Sequence, residues 1–274
     1  MHAPYEVPRL SVSSAMLADA DVDLVIIPIA QDNAAAAAGR YDGALGEDLR
    51  SALEREEFRA KPCETYVAKA ASGWRAGRVV FVGGGPRAEI TIEQFRRMAG
   101  SAVDAARRQK RARIGWADLE PGVVAPAARI ETIAEGLVLA NFDNGVHKSK
   151  NDQQFFIKEA VVFTSADGAA AVQHGQAMGE SINAARVLIN EPGNYLPPKL
   201  MAEKAASIAS VPGITSEILD EKAIEQLGMG LLLGVARGSA EPPRILVLRY
   251  AGAGAAAGQT LGLVGKGITF DTGG

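Results

Sequence analysis

Leu24-Val25-Ile26-Ile27-Pro28-Ile29 is apolar at every position. A strand without polar alternation is buried on both faces, and only layers on either side can supply that cover. Arg78-Val79-Val80-Phe81-Val82 repeats the pattern before Gly83-Gly84-Gly85, and Ala160-Val161-Val162-Phe163 repeats it again. Helical periods lie between these runs. From Thr91, the residues Ile92, Phe95, Met98, Ala102 and Val103 recur at helical spacing, and Glu131 to Asn141 sets Ile133, Leu137 and Ala140 on one stripe. Ala112 to Trp116 reads as a further strand. Strands that need cover on both faces, alternating with helices, predict a layered α/β unit over residues 1 to 165.

Ala170 to Ile189 predicts a helix with Val172, Met178, Ile182, Ala185 and Leu188 on one face, long enough to connect two domains. Asn190-Glu191-Pro192-Gly193-Asn194-Tyr195-Leu196-Pro197-Pro198 is too rich in proline to continue it. Beyond it, a short helix is expected from Lys199 to Ser207, a strand at Thr215–Leu219, and a helix from Glu221 to Leu227 stopped by Gly228. Arg244–Tyr250 and Thr260–Val264 read as two more strands. The organisation expected is an α/β unit over 1–165, a connecting helix over 166–190, and a second, incomplete α/β domain over 191–274. The alanine run Ala34–Ala38 favours a helix or linker and carries no chemistry.

Composition narrows the function. The net charge of -3 gives no basic surplus for nucleic acid or an anionic membrane. The basic run Arg107-Arg108-Gln109-Lys110-Arg111 ends a helix, where cations complement the dipole. Cys63 is the only cysteine, so neither an intrachain disulfide nor a cysteine metal cluster can form. The first residues lack the pattern of a signal peptide, and no apolar run reaches the length of a membrane span. A cytoplasmic protein without a membrane partner is expected. His2, His147 and His174 lie far apart and outside any motif.

Two segments could carry chemistry. Gly83-Gly84-Gly85, between a strand and a helix, could cradle a phosphate with backbone amides, but it lacks the rest of a nucleotide motif and reads first as a tight connection. The closing stretch Lys266-Gly267-Ile268-Thr269-Phe270-Asp271-Thr272-Gly273-Gly274 sets an amine and a carboxylate among glycines. A lysine ligates a metal only as the neutral amine, so a cation must displace a proton whose free pKa is about 10.4. Asp271 would be a hard oxygen donor able to bridge two divalent ions. Five residues of extended chain span roughly 16 Å and turn the two side chains to opposite faces, so sharing one centre requires a bend that Gly267 permits.

Val264-Gly265-Lys266-Gly267-Ile268-Thr269-Phe270-Asp271-Thr272-Gly273-Gly274 resembles the metal-binding signature of the leucyl aminopeptidases, the M17 family of cytosolic metallopeptidases. Arg186 to Pro198 resembles that family's link into its catalytic domain. Leu219-Asp220-Glu221, Leu227-Gly228-Met229-Gly230, Gly238-Ser239 and Pro242-Pro243-Arg244 resemble its approach to the active-site sheet. The likeness is weaker but colinear upstream, including Val82 to Gly85 and Lys148-Ser149-Lys150. It implies a macro-domain-like α/β unit followed by a di-metal peptidase domain, usually in a homo-hexamer, that removes N-terminal residues from peptides. It also implies that Lys266 and Asp271 ligate a pair of divalent ions (manganese, zinc or magnesium), with bicarbonate assisting proton transfer.

The family's catalytic lysine follows the Gly-Gly pair. Its remaining ligands, with the arginine that holds bicarbonate, come from a later aspartate and an Asn-Thr-Asp-Ala-Glu-Gly-Arg segment. All of these would fall beyond Gly274, so the chain is expected to be a truncated member, inactive alone, with no catalytic residue of its own. The rival reading is a non-catalytic macro-like module that binds a nucleotide or ADP-ribose through Gly83–Gly85.

Overall fold

The computed structural model describes residues 4–41, 43–118, 124–148, 155–254 and 258–270. The chain divides into two compact units, Met1–Asn183 and Ala184–Gly274.

The first unit is built on six strands: β1 (Arg9–Ser13), β2 (Leu24–Ala30), β3 (Thr65–Lys69), β4 (Arg78–Gly85), β5 (Arg113–Ala117) and β6 (Glu159–Phe163), in the order β1-β6-β5-β2-β4-β3. All neighbours run parallel except β3, which is antiparallel to β4 at one edge. The helices are α1 (Ala34–Ala38), α2 (Gly43–Glu54), α3 (Ile92–Arg108), α4 (Pro126–Ala140) and α5 (Ala169–Asn190). The all-apolar β2 is buried at every position. Its side chains alternate between two cores, as the twofold period of a strand requires. Leu24 and Ile26 pack with Met98, Ile130 and Ile133 of α3 and α4. Val25, Ile27 and Ile29 pack with Ala37, Leu45 and Leu49 of α1 and α2. Full burial of each such aliphatic chain contributes about 1.5–3 kcal/mol.

Helix ends follow local chemistry. Thr91 caps α3, its Oγ1 accepting from the Gln94 amide at 3.3 Å. Pro126 opens α4, where its missing N–H costs nothing. Arg107 does more than complement a dipole. Its guanidinium donates to the carbonyls of Phe155, Ala140 and Phe142 at 2.8, 3.1 and 3.0 Å and lies over the Phe156 ring. One arginine thereby ties the end of α3 to the end of α4 and to the segment entering β6.

The expected face of α5 is corrected. Met178 and Ile182 are exposed, and the buried stripe is Val172, Gly175, Gly179 and Asn183. The helix lies so close to α4 that a Cβ on Gly175 would stand 2.1 Å from the Glu131 carbonyl oxygen, and one on Gly179 would stand 2.7 Å from Val138 Cβ. Small residues, rather than large apolar ones, make the contact there. Asn183 completes it by donating to the Val138 carbonyl at 2.9 Å.

The second unit contains α6 (Pro198–Ile208), β7 (Ile214–Leu219), α7 (Glu221–Gln226), α8 (Gly230–Ala236) and β8 (Ile245–Tyr250). β7 and β8 pair antiparallel, from Ile214 opposite Tyr250 to Leu219 opposite Ile245. Asp220 caps α7 by accepting from the Ala223 amide at 2.9 Å, and Gly228, at φ 71°, ends that helix as expected. Residues 258–270 form neither helix nor strand, which corrects the strand expected at Thr260–Val264. Leu261, Leu263 and Val264 are 84%, 88% and 102% exposed. An apolar run becomes a strand only where a neighbour takes its backbone hydrogen bonds, and this run pairs with neither strand of the β7–β8 sheet.

Candidate metal centre

Lys266 lies in the second unit on an exposed stretch of chain. With Gly265 and residues 267–270 it forms one wall of a concavity of about 500 Å³. α6 supplies Met201, Ala202 and Ala205 to the other walls, α8 supplies Leu232 and Val235, and Arg244 and Ile245 enter at the start of β8. The amine therefore stands at the rim of a largely apolar hollow, and among the described residues Glu241 is the one carboxylate in the lining. Glu241 carries no signal in the sequence beyond its charge, and Arg244 stands out only as part of Pro242-Pro243-Arg244. Arg244 donates to the Pro243 carbonyl at 2.7 Å, and the Glu241 amide donates to Ser239 Oγ at 3.1 Å.

Asp271 lies outside the described residues, as do Gly273 and Gly274 and the upstream Ser149 and Lys150. Among the described residues, no group of three or more histidine, cysteine, aspartate or glutamate side chains could hold a metal ion. Lys266 is the one motif donor described, and a single amine does not hold a pair of divalent ions. No chemical step can be routed through a metal on these residues alone.

The glycine turn is occupied by the protein itself. Gly83 to Gly85 belong to the end of β4 and not to a free loop. The Gly83 amide donates to the Glu64 carbonyl at 2.8 Å, and the Gly85 amide donates to the Ala60 carbonyl at 3.0 Å. The Ala60–Pro62 segment covers them so closely that a Cβ on Gly83 would stand 2.1 Å from the Lys61 oxygen, and one on Gly85 would stand 2.9 Å from Pro62 Cγ. These glycines admit a crossing segment of chain, and the amides of Gly83 and Gly85 are already engaged. His174 is likewise a surface residue with a partner, its Nδ1 2.8 Å from Glu131 Oε1. Among the described residues, no helix is long and apolar enough to cross a membrane.

Residues 26–151 match the model of the cytosol aminopeptidase family, N-terminal domain, and residues 183–274 match that of the cytosol aminopeptidase family, catalytic domain. A probable cytosol aminopeptidase of Solibacter usitatus is 36% identical over 270 residues, covering 97% of this chain and 53% of the relative. One of Acidobacterium capsulatum is 35% identical over 237 residues, covering 85% and 47%. Among solved structures, a bottromycin maturation enzyme in complex with Mn is similar at a TM-score of 0.66 and 28% identity, over 83% of this chain and 45% of that one. A variant of tomato leucine aminopeptidase is similar in fold, at a TM-score of 0.84 and 22% identity over 99% and 56%. The chain spans about half the length of the curated relatives it matches.

Proposed function

The chain belongs to the cytosol aminopeptidase family, and from that premise we propose that it supplies the N-terminal domain and the first part of the catalytic domain of a metal-dependent aminopeptidase. The reaction is hydrolysis of the N-terminal peptide bond of peptides, with leucine among the residues released. The observation that carries this reading is the order of the two family matches, the second of which contains the Lys266/Asp271 motif.

In this reading Lys266 and Asp271 are the first two ligands of a two-metal centre whose other ligands this chain does not supply. Manganese, zinc or magnesium would occupy it, and the Mn in the bottromycin maturation enzyme supports a divalent ion of this kind. A bound pair of such ions polarises a carbonyl and acidifies a water molecule. The chain's own part is to bring the Lys266 amine and the Asp271 carboxylate to one place across a glycine-hinged bend. The concavity beside Lys266, with its apolar walls from α6 and α8, suits an uncharged side chain. Residues 191–274 then form the beginning of the catalytic domain, with the helix over 166–190 leading into it. The exposed Leu231, Val235, Leu261 and Leu263 are surface that the completed domain covers. Assembly as a homo-hexamer, bicarbonate as a proton carrier and a cytoplasmic location complete the proposal.

The test is release of leucine from a leucyl amide by the protein encoded by the whole reading frame that contains this chain, with and without a chelator. Release that requires Mn or Zn supports the reading, and a full-length protein inert with every divalent ion counts against it. Residues 1–274 alone should show negligible release.

A further inference from the structure

Asn33 and Tyr41 line one hollow of the first unit, and among the described residues neither the Asn33 carboxamide nor the Tyr41 hydroxyl has a hydrogen-bond partner. The hollow measures about 160 Å³, and Ile27, Ile29, Ile90 and Phe95 give it apolar walls. Topology places it there. β2 continues into α1 and α2 on one face of the sheet, whereas its neighbours β4 and β5 continue into α3 and α4 on the other. Adjacent strands whose connections leave to opposite faces part at their carboxyl ends, where open α/β sheets take ligands. Tyr41 also borders a broader hollow of about 760 Å³, with Arg40, Trp74 and Asp118.

The groups left for recognition are neutral. Asp118 is held at both oxygens by Arg129, at 2.5 and 2.8 Å. Arg40 and Arg87 also border the narrow hollow, and both are engaged within the protein. The Tyr41 ring is fixed between Trp74 and Phe81, with centroids 6.4 and 5.9 Å away. Burial raises its pKa to about 12, so at neutral pH the hydroxyl keeps its proton and can both donate and accept. The Asn33 carboxamide adds two N–H donors and a carbonyl acceptor. Both side chains are half-buried, and a polar group withdrawn from water costs free energy until something pairs with it.

We infer that this hollow binds a small uncharged amide with a branched aliphatic body, its carbons against Ile27, Ile29, Ile90 and Phe95 and its amide paired with Asn33 and Tyr41. An amide carries the acceptor and the donor that complement a carboxamide. Apolar walls with a few neutral polar groups are the make-up of a small-molecule site. The volume sets the size, since a cavity of roughly 150 Å³ lined by such side chains takes a molecule as large as benzene. The site does not depend on the peptidase reading.

The test is titration of the 274-residue chain with isobutyramide, followed by saturation-transfer NMR of the ligand, beside isobutanol, isobutyrate and isobutylamine. Saturable binding of the amide is expected, with a Kd below about 10 mM. Isobutanol lacks the amide, and the other two carry a charge that these groups do not neutralise, so each should bind about fivefold or more weakly. Asn33→Ala and Tyr41→Phe should each weaken the amide by a similar factor, with thermal melting as the check on their fold. The comparison of ligands on the unmodified chain decides the matter even where a variant does not fold. No saturation by about 50 mM amide, isobutyrate or isobutanol binding as tightly as the amide, or unchanged affinity in both folded variants would overturn the inference.

Discussion

Arg129 and Asp118 form a bidentate pair sealed inside the first unit, their side chains 4% and 6% exposed. Thr164 donates its hydroxyl to the same carboxylate at 2.9 Å, and Arg129 also donates to the Val124 carbonyl at 3.0 Å. The pair ties the end of β5 to α4 and to the end of β6. Losing one partner strands the other charge. Asp118→Ala should cost about 3–5 kcal/mol, whereas the double change to Asp118→Val with Arg129→Met should recover most of the loss. Chemical denaturation of the two variants checks this, and a loss below about 1 kcal/mol for Asp118→Ala would contradict it.

Gly175 and Gly100 should respond to alanine with opposite signs. Alanine gains about 1 kcal/mol over glycine in a helix interior. At Gly175 the new methyl meets a backbone oxygen at 2.1 Å, which cannot move aside without shifting α4. Overpacking of about 1–3 kcal/mol wins there, and Gly175→Ala should lower the melting temperature. At Gly100 of α3 the nearest atom is 3.9 Å away, so Gly100→Ala should raise it or leave it unchanged. Equal shifts in the two variants would show that the close approach of α5 to α4 is wrong.

Alkaline pH should destabilise the first unit through its tyrosines. Burial raises Tyr41 to about 12; burial and the hydrogen bond from the Tyr66 hydroxyl to Asp48 Oδ1 at 2.8 Å raise Tyr66 to about 12. A raised folded-state pKa means that the native state holds its proton more tightly than the unfolded chain does. The resulting stability is fully present below about pH 10 and is lost as pH rises from there through 12. Unfolding midpoints between pH 9 and 12 should fall less steeply in Tyr66→Phe than in the unmodified chain, since common lysine titration cancels in that comparison. Parallel curves would remove Tyr66 from the account.

Legibility followed burial. The strands β2, β4 and β6 could be read because each contains an unbroken apolar run of four or more residues. β1 (Arg9-Leu10-Ser11-Val12-Ser13) and β3 (Thr65-Tyr66-Val67-Ala68-Lys69) lie at the two edges of the sheet, where burial is partial, and their polar residues hide them. The face of α5 misled for a related reason. Periodicity weighs Met178 and Ile182, but close packing of two helices selects Gly175 and Gly179, which carry no apolar signal. Thr260–Val264 has the composition of a strand without a neighbour to pair with. Lys266 was legible only as part of a motif, since an exposed lysine has no local mark of function. The hollow lined by Arg40, Trp74 and Asp118 was not legible at all: the three come from separate connections, and no spacing along the chain announces them.

Under the proposed function Lys266 ligates a catalytic metal, and the most direct measurement is the effect of Lys266→Ala in the protein encoded by the whole reading frame. Leucyl-amide hydrolysis and bound manganese should be measured on the same folded preparation. The account predicts a fall in turnover exceeding the ~100-fold that even a group behind a metal ligand can cost, together with loss of bound metal. A Lys266→Ala protein that keeps its metal and its turnover would contradict it.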